Sequence, residues 1–331
     1  MLPAIQAEMR TILQADTHPP IDHLHGMMQY HMGWLDADFT PAQAKAGKQI
    51  RPLSLLLACQ AAGGDWQTAL PAAAGVELLH NFSLIHDDIE DNSPTRRGRR
   101  TLWQIWGIPL AINAGDAMFA LAHSAFTRLA DTGVPAERIV RAMRRFDETN
   151  LRLTQGQHAD MHFETRQDVT TAEYIEMITG KTSVLLSLCT ELGALIGSQN
   201  DETINHYRQF GLNLGLAFQV IDDILGIWGD EELIGKSASS DIATRKKTLP
   251  ILYGLQQSEA LRQFFFTDDI DDEFVGRVID QLNQVNARQY AEEQAELYSQ
   301  KALHHFAQAN PSGEAAKAME ELTGMLLQRQ S

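Results

Sequence analysis

Cysteine is nearly missing from this chain: Cys59 and Cys189 are the only two among 331 residues. Both lie inside apolar stretches, so they read as buried thiols, and no disulfide framework can be drawn. Long apolar runs are lacking as well. Nowhere do about 18 consecutive apolar residues occur, so no membrane-spanning helix is expected. The amino-terminal stretch MLPAIQAEMRTILQAD has an acid and no apolar core, and reads as neither a signal peptide nor an anchor. Basic residues are in the minority. The 27 Lys and Arg against 43 Asp and Glu leave a net charge of −16, which argues against a nucleic-acid or anionic-membrane surface. An anionic ligand must therefore be captured locally, by metal and by clustered cations. Alternating strand patterns and internal repeats are also absent. What is present is helical periodicity almost throughout, in a chain long enough to bury one large core. The expectation is an all-α, cytoplasmic protein with a single domain over residues 1–331.

The stretch richest in chemistry is HNFSLIHDDIEDNSPTRRGRR, residues 80–100. It closes an apolar-periodic run from about Val76, which predicts the C-terminal end of a helix. Asp87 and Asp91 are four apart, so a helix stacks their carboxylates one turn apart on one face, flanked by Asp88 and Glu90. Like charges so close ask for a counter-cation, and magnesium, held by one or two carboxylates and completed by phosphate oxygens, suits them. Arg96, Arg97, Arg99 and Arg100 follow, with guanidinium forks suited to phosphate. Acids for a metal and arginines for an anion point to a diphosphate site. Alone, such a segment is more often a solvated surface. A second doublet, Asp222-Asp223 in FQVIDDILGIWGDEELIGKSASSDIATRKKTLP, changes that reading. It too ends an apolar run and is trailed by cations: Lys236, Lys246 and Lys247.

In order and spacing, these motifs resemble the trans-isoprenyl diphosphate synthases, the polyprenyl synthetase family. The resemblance spans about residues 47–250. It rests on GKQIRP (47–52), DDIED followed by RRG, GQHAD (156–160), Lys181-Thr182 and FQVIDD (218–223). A closing loop with Gly235-Lys236, Asp241 and Lys246-Lys247-Thr248 completes it. The resemblance implies the isoprenoid synthase fold, a bundle of antiparallel helices around a deep central cavity with the two aspartate motifs facing across its mouth, and a homodimer. It also implies head-to-tail condensation of an allylic diphosphate with isopentenyl diphosphate, with diphosphate released. Three magnesium ions per active site would be held by Asp87, Asp88, Asp91, Asp222 and Asp223. Asp87, Asp91 and Asp222 would stabilise the charge on the departing diphosphate, while Arg96, Lys181, Lys236 and Lys246 grip it. Lys48, Arg51, His80 and Arg97 match the metal-free isopentenyl pocket. Thr182 and Gln219 match polar groups facing the carbocation. No side-chain base is assigned, because the released diphosphate can take the final proton.

Departures from the family pattern are Gly226, where many relatives carry a third aspartate, Arg100 and Trp103 after the RRG, and Arg245 in place of a glycine. Phe82, five before Asp87, and Ser83, four before it, resemble the short-chain pattern that ends at geranylgeranyl diphosphate. Farnesyl or longer products stay open, as do a class I terpene cyclase and a noncatalytic subunit. Three local expectations follow from the residues themselves. Thr40-Pro41-Ala42-Gln43 has the form of a helix start, opening a helix that carries Lys48 and Arg51 on one face. Asp116, in a helix over residues 110–129, reads as a buried support for the metal helix. Lys181, in an apolar helix over residues 171–196, needs an anion.

Overall fold

The computed structural model describes residues 1–44, 47–198, 200–229, 240–267 and 269–328. Apart from one two-stranded hairpin and an isolated bridge, the described residues form helices and their connections. The chain divides into two compact units, Met1–Arg144 with Leu192–Gln199, and Arg145–Glu191 with Asn200–Ser331.

The first unit carries α1 (Leu2–Ile12), α2 (His23–His31), α3 (Ile50–Ala61), α4 (Leu70–Glu90), α5 (Leu102–Trp106) and α6 (Ile108–Thr127), and α1, α3 and α6 all pack against α4. Helix α4 opens with Pro71 in its first turn, where the missing N–H costs nothing. Its next residues, Ala72, Ala73, Ala74 and Gly75, form a small, buried face. That face admits α6 closely: a Cβ on Gly75 would lie 2.8 Å from the Phe126 ring. Val76, Leu78, Leu79 and Ile85 continue the core along α4, each contributing about 1.5–3 kcal/mol by burial. Cys59 on α3 and Cys189 are both fully buried, and burial pushes the Cys59 thiol up to about 12, so it is inert.

The helix start expected at Thr40 is not one. Residues 41–44 run beside the chain at 33–35: Pro41 bridges Leu35, the Ala42 N–H donates to the Trp34 carbonyl (2.9 Å), and Ala44 donates to Gly33 (3.0 Å). The Asp38 carboxylate takes both the N–H and the hydroxyl of Thr40, which ties Thr40 to the preceding turn. The helix begins at Ile50 instead, after Gln49 at φ +50°, which leaves Lys48 outside it and Arg51 inside.

In the second unit, α7 (Ala136–Thr165) supplies its later turns, and α8 (Thr171–Ile178) opens with a Thr170–Glu173 capping box. A π-helical turn, Thr179–Ser183, joins α8 to α9 (Val184–Gly197), and π-turns are frequent at functional sites. Helix α10 (Asp201–Trp228), capped by the Asn200 side chain, packs along the helix Ala287–Gln308 and against the π-turn. By length and composition α10 could cross a bilayer, yet 67% of its apolar window is buried within the protein, the pattern of a core helix. Val220, Ile221 and Ile224 pack with Tyr174, Leu249 and Leu252 in one core cluster, while Ile227 joins Phe265, Phe274 and Val278 in another.

Candidate active site

The first unit concentrates its charges at the C-terminal end of α4. Asp91 caps the helix and donates its N–H to the Asp87 carbonyl at 2.8 Å, so the two side chains follow one another on adjacent turns. Asp88 points the other way. It is 2% exposed, and its Oδ1 accepts from Arg96 Nε at 2.7 Å. Burial, opposed by that guanidinium, lifts the Asp88 carboxyl above its usual range.

The RRG motif is a β-hairpin turn. Strands β1 (Thr95–Arg96) and β2 (Arg99–Arg100) pair around Arg97 at φ +53° and Gly98 at φ +77°. Two successive positive φ values suit a two-residue hairpin, and glycine enters that region freely. An arginine there is held at a cost of roughly 1 kcal/mol, which marks Arg97 as placed for its side chain. Its guanidinium lies against Gly47, where a Cβ would sit 2.7 Å from Nη2. The glycine next to Lys48 therefore makes room for Arg97, and the GKQIRP and RRG motifs meet. Arg99 is structural: it donates to the Tyr30 and Leu35 carbonyls at 3.0 and 2.6 Å and lies over the Tyr30 ring. Trp103, a departure from the family pattern, anchors the loop through a 2.9 Å bond to the Ser93 carbonyl.

Arg51 and His80 also meet, with Nη1 3.2 Å from Nε2. A guanidinium can only donate, so this ring nitrogen accepts and the imidazole is neutral. Withdrawal from solvent, and then the charges of Arg51 and Arg97, holds His80 well below the usual histidine range. One turn earlier, Glu77 is 4% exposed, and burial pushes its carboxyl up to about 7 against the pull of Arg51 and Arg97. The Phe82 ring lies 5.0 Å from Phe119 of α6 and 4.8 Å from His86, while the Ser83 hydroxyl donates to the His80 carbonyl. Asp116 is not buried: its side chain is 64% exposed and stands 3.7 Å from His86 Nε2.

The second unit holds a hydrogen-bonded chain. The Thr182 hydroxyl, in the π-turn, donates to Gln219 Oε1 (2.9 Å), and Gln219 Nε2 donates to Asp223 Oδ1 (3.1 Å). Asp223 Oδ2 accepts from the Tyr174 hydroxyl at 2.5 Å and from the Leu249 N–H at 3.3 Å. Asp223 is 2% exposed, and burial pushes its carboxyl up to about 7 although every donor pulls the other way. Asp222, its neighbour, is half-buried. Asp88 and Asp223, placed with the metal carboxylates by sequence, are thus both engaged by protein donors.

Lys181 finds its anion in Asp160, at 2.5 Å. GQHAD is explained by this pair. A side chain at Gly156 would collide with the backbone of Gly180 and Lys181, so the glycine lets α7 touch the π-turn, and Asp160 follows one turn later. Lys247 donates to the Glu164 carbonyl at 2.9 Å. Lys246 is exposed, and Lys236 lies outside the described residues. Arg245, where a glycine was expected, adopts φ +51° and lies over the Phe274 ring. Sequence reasoning missed Glu77, Phe119 and Tyr174. Glu77 precedes His80 by three, a same-face spacing that could have flagged it, whereas Phe119 and Tyr174 carry no local signal.

The polyprenyl synthetase family model matches residues 33–282. The chain is 42% identical over 261 residues to the geranylgeranyl diphosphate synthase of Mycobacterium tuberculosis, covering 78% of this chain and 73% of that protein. It is 38% identical over 288 residues to the geranylgeranyl diphosphate synthase of Saccharolobus solfataricus, covering 86% of each. Among solved structures, the geranylgeranyl pyrophosphate synthetase of Pyrococcus horikoshii is similar with a TM-score of 0.87 and 32% identity, covering 99% of this chain and 95% of that one.

Proposed function

The chain belongs to the polyprenyl synthetase family, and from that premise we propose that it is a trans-prenyltransferase. It condenses an allylic diphosphate with isopentenyl diphosphate head to tail, releases diphosphate, and makes geranylgeranyl diphosphate. The observation that carries this reading is the cluster of Arg51, His80 and Arg97: Arg51 meets a neutral His80, and Arg97 lies against Gly47 beside Lys48. Two substrates that each bear a diphosphate need two kinds of anion site. One has carboxylates for a metal, and the other is led by arginine and lysine.

The donors fit magnesium. Asp87 and Asp91, on adjacent turns of α4, and Asp222 on α10 offer one or two hard carboxylate oxygens per helix. Such sparse ligation suits an ion whose shell is completed by substrate phosphates and water. Magnesium, three ions per site by family resemblance, would supply the positive charge that a departing diphosphate requires. Asp88 and Asp223 act behind these ligands, fixing the helix ends. Arg96, Lys181 and Lys246, with Lys236, bind the allylic diphosphate. Lys48, Arg51, His80 and Arg97 hold isopentenyl diphosphate, with neutral His80 donating through its second ring nitrogen. The Thr182 and Gln219 oxygens face the developing carbocation, and no side-chain base is needed. The two units serve one synthase domain over residues 1–331, in a cytoplasmic homodimer.

Phe82, packed against Phe119, is the floor for the growing tail. The test is mass analysis of products from the purified chain with magnesium, labelled isopentenyl diphosphate and each allylic primer in turn. The twenty-carbon diphosphate is expected, and Phe82→Ala should lengthen it. A wild-type profile from that variant removes the floor. A hydrocarbon made from geranylgeranyl diphosphate alone overturns the synthase reading in favour of a cyclase.

A further inference from the structure

Two helices of the second unit bring one histidine each to the same point. His206 of α10 and His305 of the helix Ala287–Gln308 approach with Nδ1 to Nδ1 at 3.0 Å and ring centroids 5.3 Å apart. Both are half-buried. The residue after each is an aromatic of the core. Tyr207 and Phe306 have ring centroids 6.1 Å apart, and Phe210, one turn on, stands 4.8 Å from Phe306. Tyr207 and Phe210 are fully buried, and the buried Thr190 hydroxyl donates to the Tyr207 carbonyl at 2.6 Å. The backbone carrying the two imidazoles is thus fixed by packing, as a precise site requires.

Nothing in the diphosphate chemistry or the core explains two imidazoles aimed at each other. At this distance two neutral rings can share one hydrogen bond, whereas two protonated rings repel. It is also the spacing of two nitrogens held by one ion. With metal–nitrogen bonds of about 2.0–2.1 Å, ligands at a right angle stand roughly 2.9 Å apart, and the tetrahedral angle of zinc needs roughly 3.3 Å. Right angles belong to octahedral and tetragonal ions, and imidazole suits nickel and copper. Withdrawal from solvent, and then the charges of His206 and His304, hold His305 below the usual histidine range, which favours the neutral form that binds a metal. Among the described residues no third His, Cys, Asp or Glu joins the pair, so water would complete the shell.

We propose that His206 and His305 form a binding site for a divalent transition-metal ion of the nickel or copper kind, which ties α10 to the helix Ala287–Gln308. It is separate from the magnesium carboxylates. Asp222 lies roughly 24 Å further along α10, at about 1.5 Å per residue. Magnesium, which takes oxygen ligands, does not compete for imidazole. Metal binding here is independent of prenyl transfer, and either can fail alone.

The test is calorimetric titration of the full chain, free of any polyhistidine tag, with Ni2+ in excess magnesium. A second histidine pair, His158 and His162 on α7, has stacked rings 6.4 Å apart, so the titration is repeated with both changed to Gln. That chain should still bind one ion as wild type does. His206→Gln and His305→Gln should each weaken Ni2+ binding by at least about tenfold, since even the partners behind a metal's ligands contribute that much. The double variant should fall within about twofold of the weaker single one, because the two ligands act as a pair. Ni2+ at a hundred times its dissociation constant should raise the melting temperature by about 4 °C. Cu2+ on the chain lacking His158 and His162 should show splitting from two imidazole nitrogens in its paramagnetic resonance spectrum. If a Gln variant melts early, that spectrum decides, because it is read with His206 and His305 intact. Unchanged Ni2+ affinity in both single variants, loss of all binding with His158 and His162, or an oxygen-only copper spectrum overturns the site.

Discussion

The two aspartate doublets end long helices in different units, and each unit holds its second aspartate in its own way. On α4 that residue, Asp88, takes a charged donor, Arg96. On α10 it is Asp223, which takes Tyr174, Gln219 and a backbone N–H, all neutral. Each is 2% exposed. Adjacent residues on an α-helix point about 100° apart, so a doublet cannot turn both carboxylates toward one ligand. Asp87 shares its face with Asp91, and Asp222 shares its face with Gly226. On the function proposed above, each doublet is one working carboxylate and one anchor. The charged anchor keeps an ion pair at the helix end, whereas the neutral anchor leaves a buried acid pushed up to about 7.

The largest effect should separate working carboxylates from anchors. Asp87→Asn and Asp222→Asn are expected to lower turnover roughly a hundredfold or more, because each removes charge aimed at the departing group. Both should melt like wild type. Steady-state rates across a magnesium titration check this. If Asp88→Asn and Asp223→Asn shift the magnesium requirement equally without losing stability, the doublets are two-ligand pairs and the distinction fails.

A smaller effect should separate the two anchors. Asp88→Ala leaves the Arg96 guanidinium, 30% exposed, without its carboxylate, and should cost about 3 kcal/mol. Tyr174→Phe removes one of three neutral donors to Asp223 and should cost about 1 kcal/mol. Urea unfolding of the two variants measures both. Equal losses would erase the difference between a charged and a neutral anchor.

The long helices were legible because their apolar periods run over many turns. Residues 110–129 became Ile108–Thr127, and the apolar run that ends in Asp222-Asp223 lies in Asp201–Trp228. Lys181 in an apolar run correctly demanded an anion, but the identity of Asp160 depended on α7 closing onto the π-turn. What stayed hidden was tertiary. Thr182 and Gln219 are 37 residues apart, and nothing local says that they bond. At residues 40–44 the expected helix start instead runs beside the chain at 33–34, whose carbonyls take the Ala42 and Ala44 N–H groups. The Arg97-Gly98 turn was invisible because each strand it joins is two residues long, too short for alternation to show.

The last expected effect concerns the two buried acids, Glu77 in one unit and Asp223 in the other, both pushed up to about 7. Glu77 can be probed without touching an aspartate motif. Its usual value is 4.5, so the folded chain holds the proton to higher pH than the unfolded chain does. The stabilisation from its neutral form is complete below about pH 4.5 and is lost as the pH rises toward 7. Each unit of pKa is worth 1.36 kcal/mol, so a rise from 4.5 to about 7 is worth about 3 kcal/mol. Glu77→Gln keeps the shape but cannot ionise. Relative to wild type, it should gain about that much between pH 4.5 and pH 8, read from urea unfolding at each pH. Parallel stability curves for the two chains would mean that Glu77 ionises as readily folded as unfolded. Its pairing with Arg51 and Arg97 would then outweigh its burial, making it a charged anchor like Asp88.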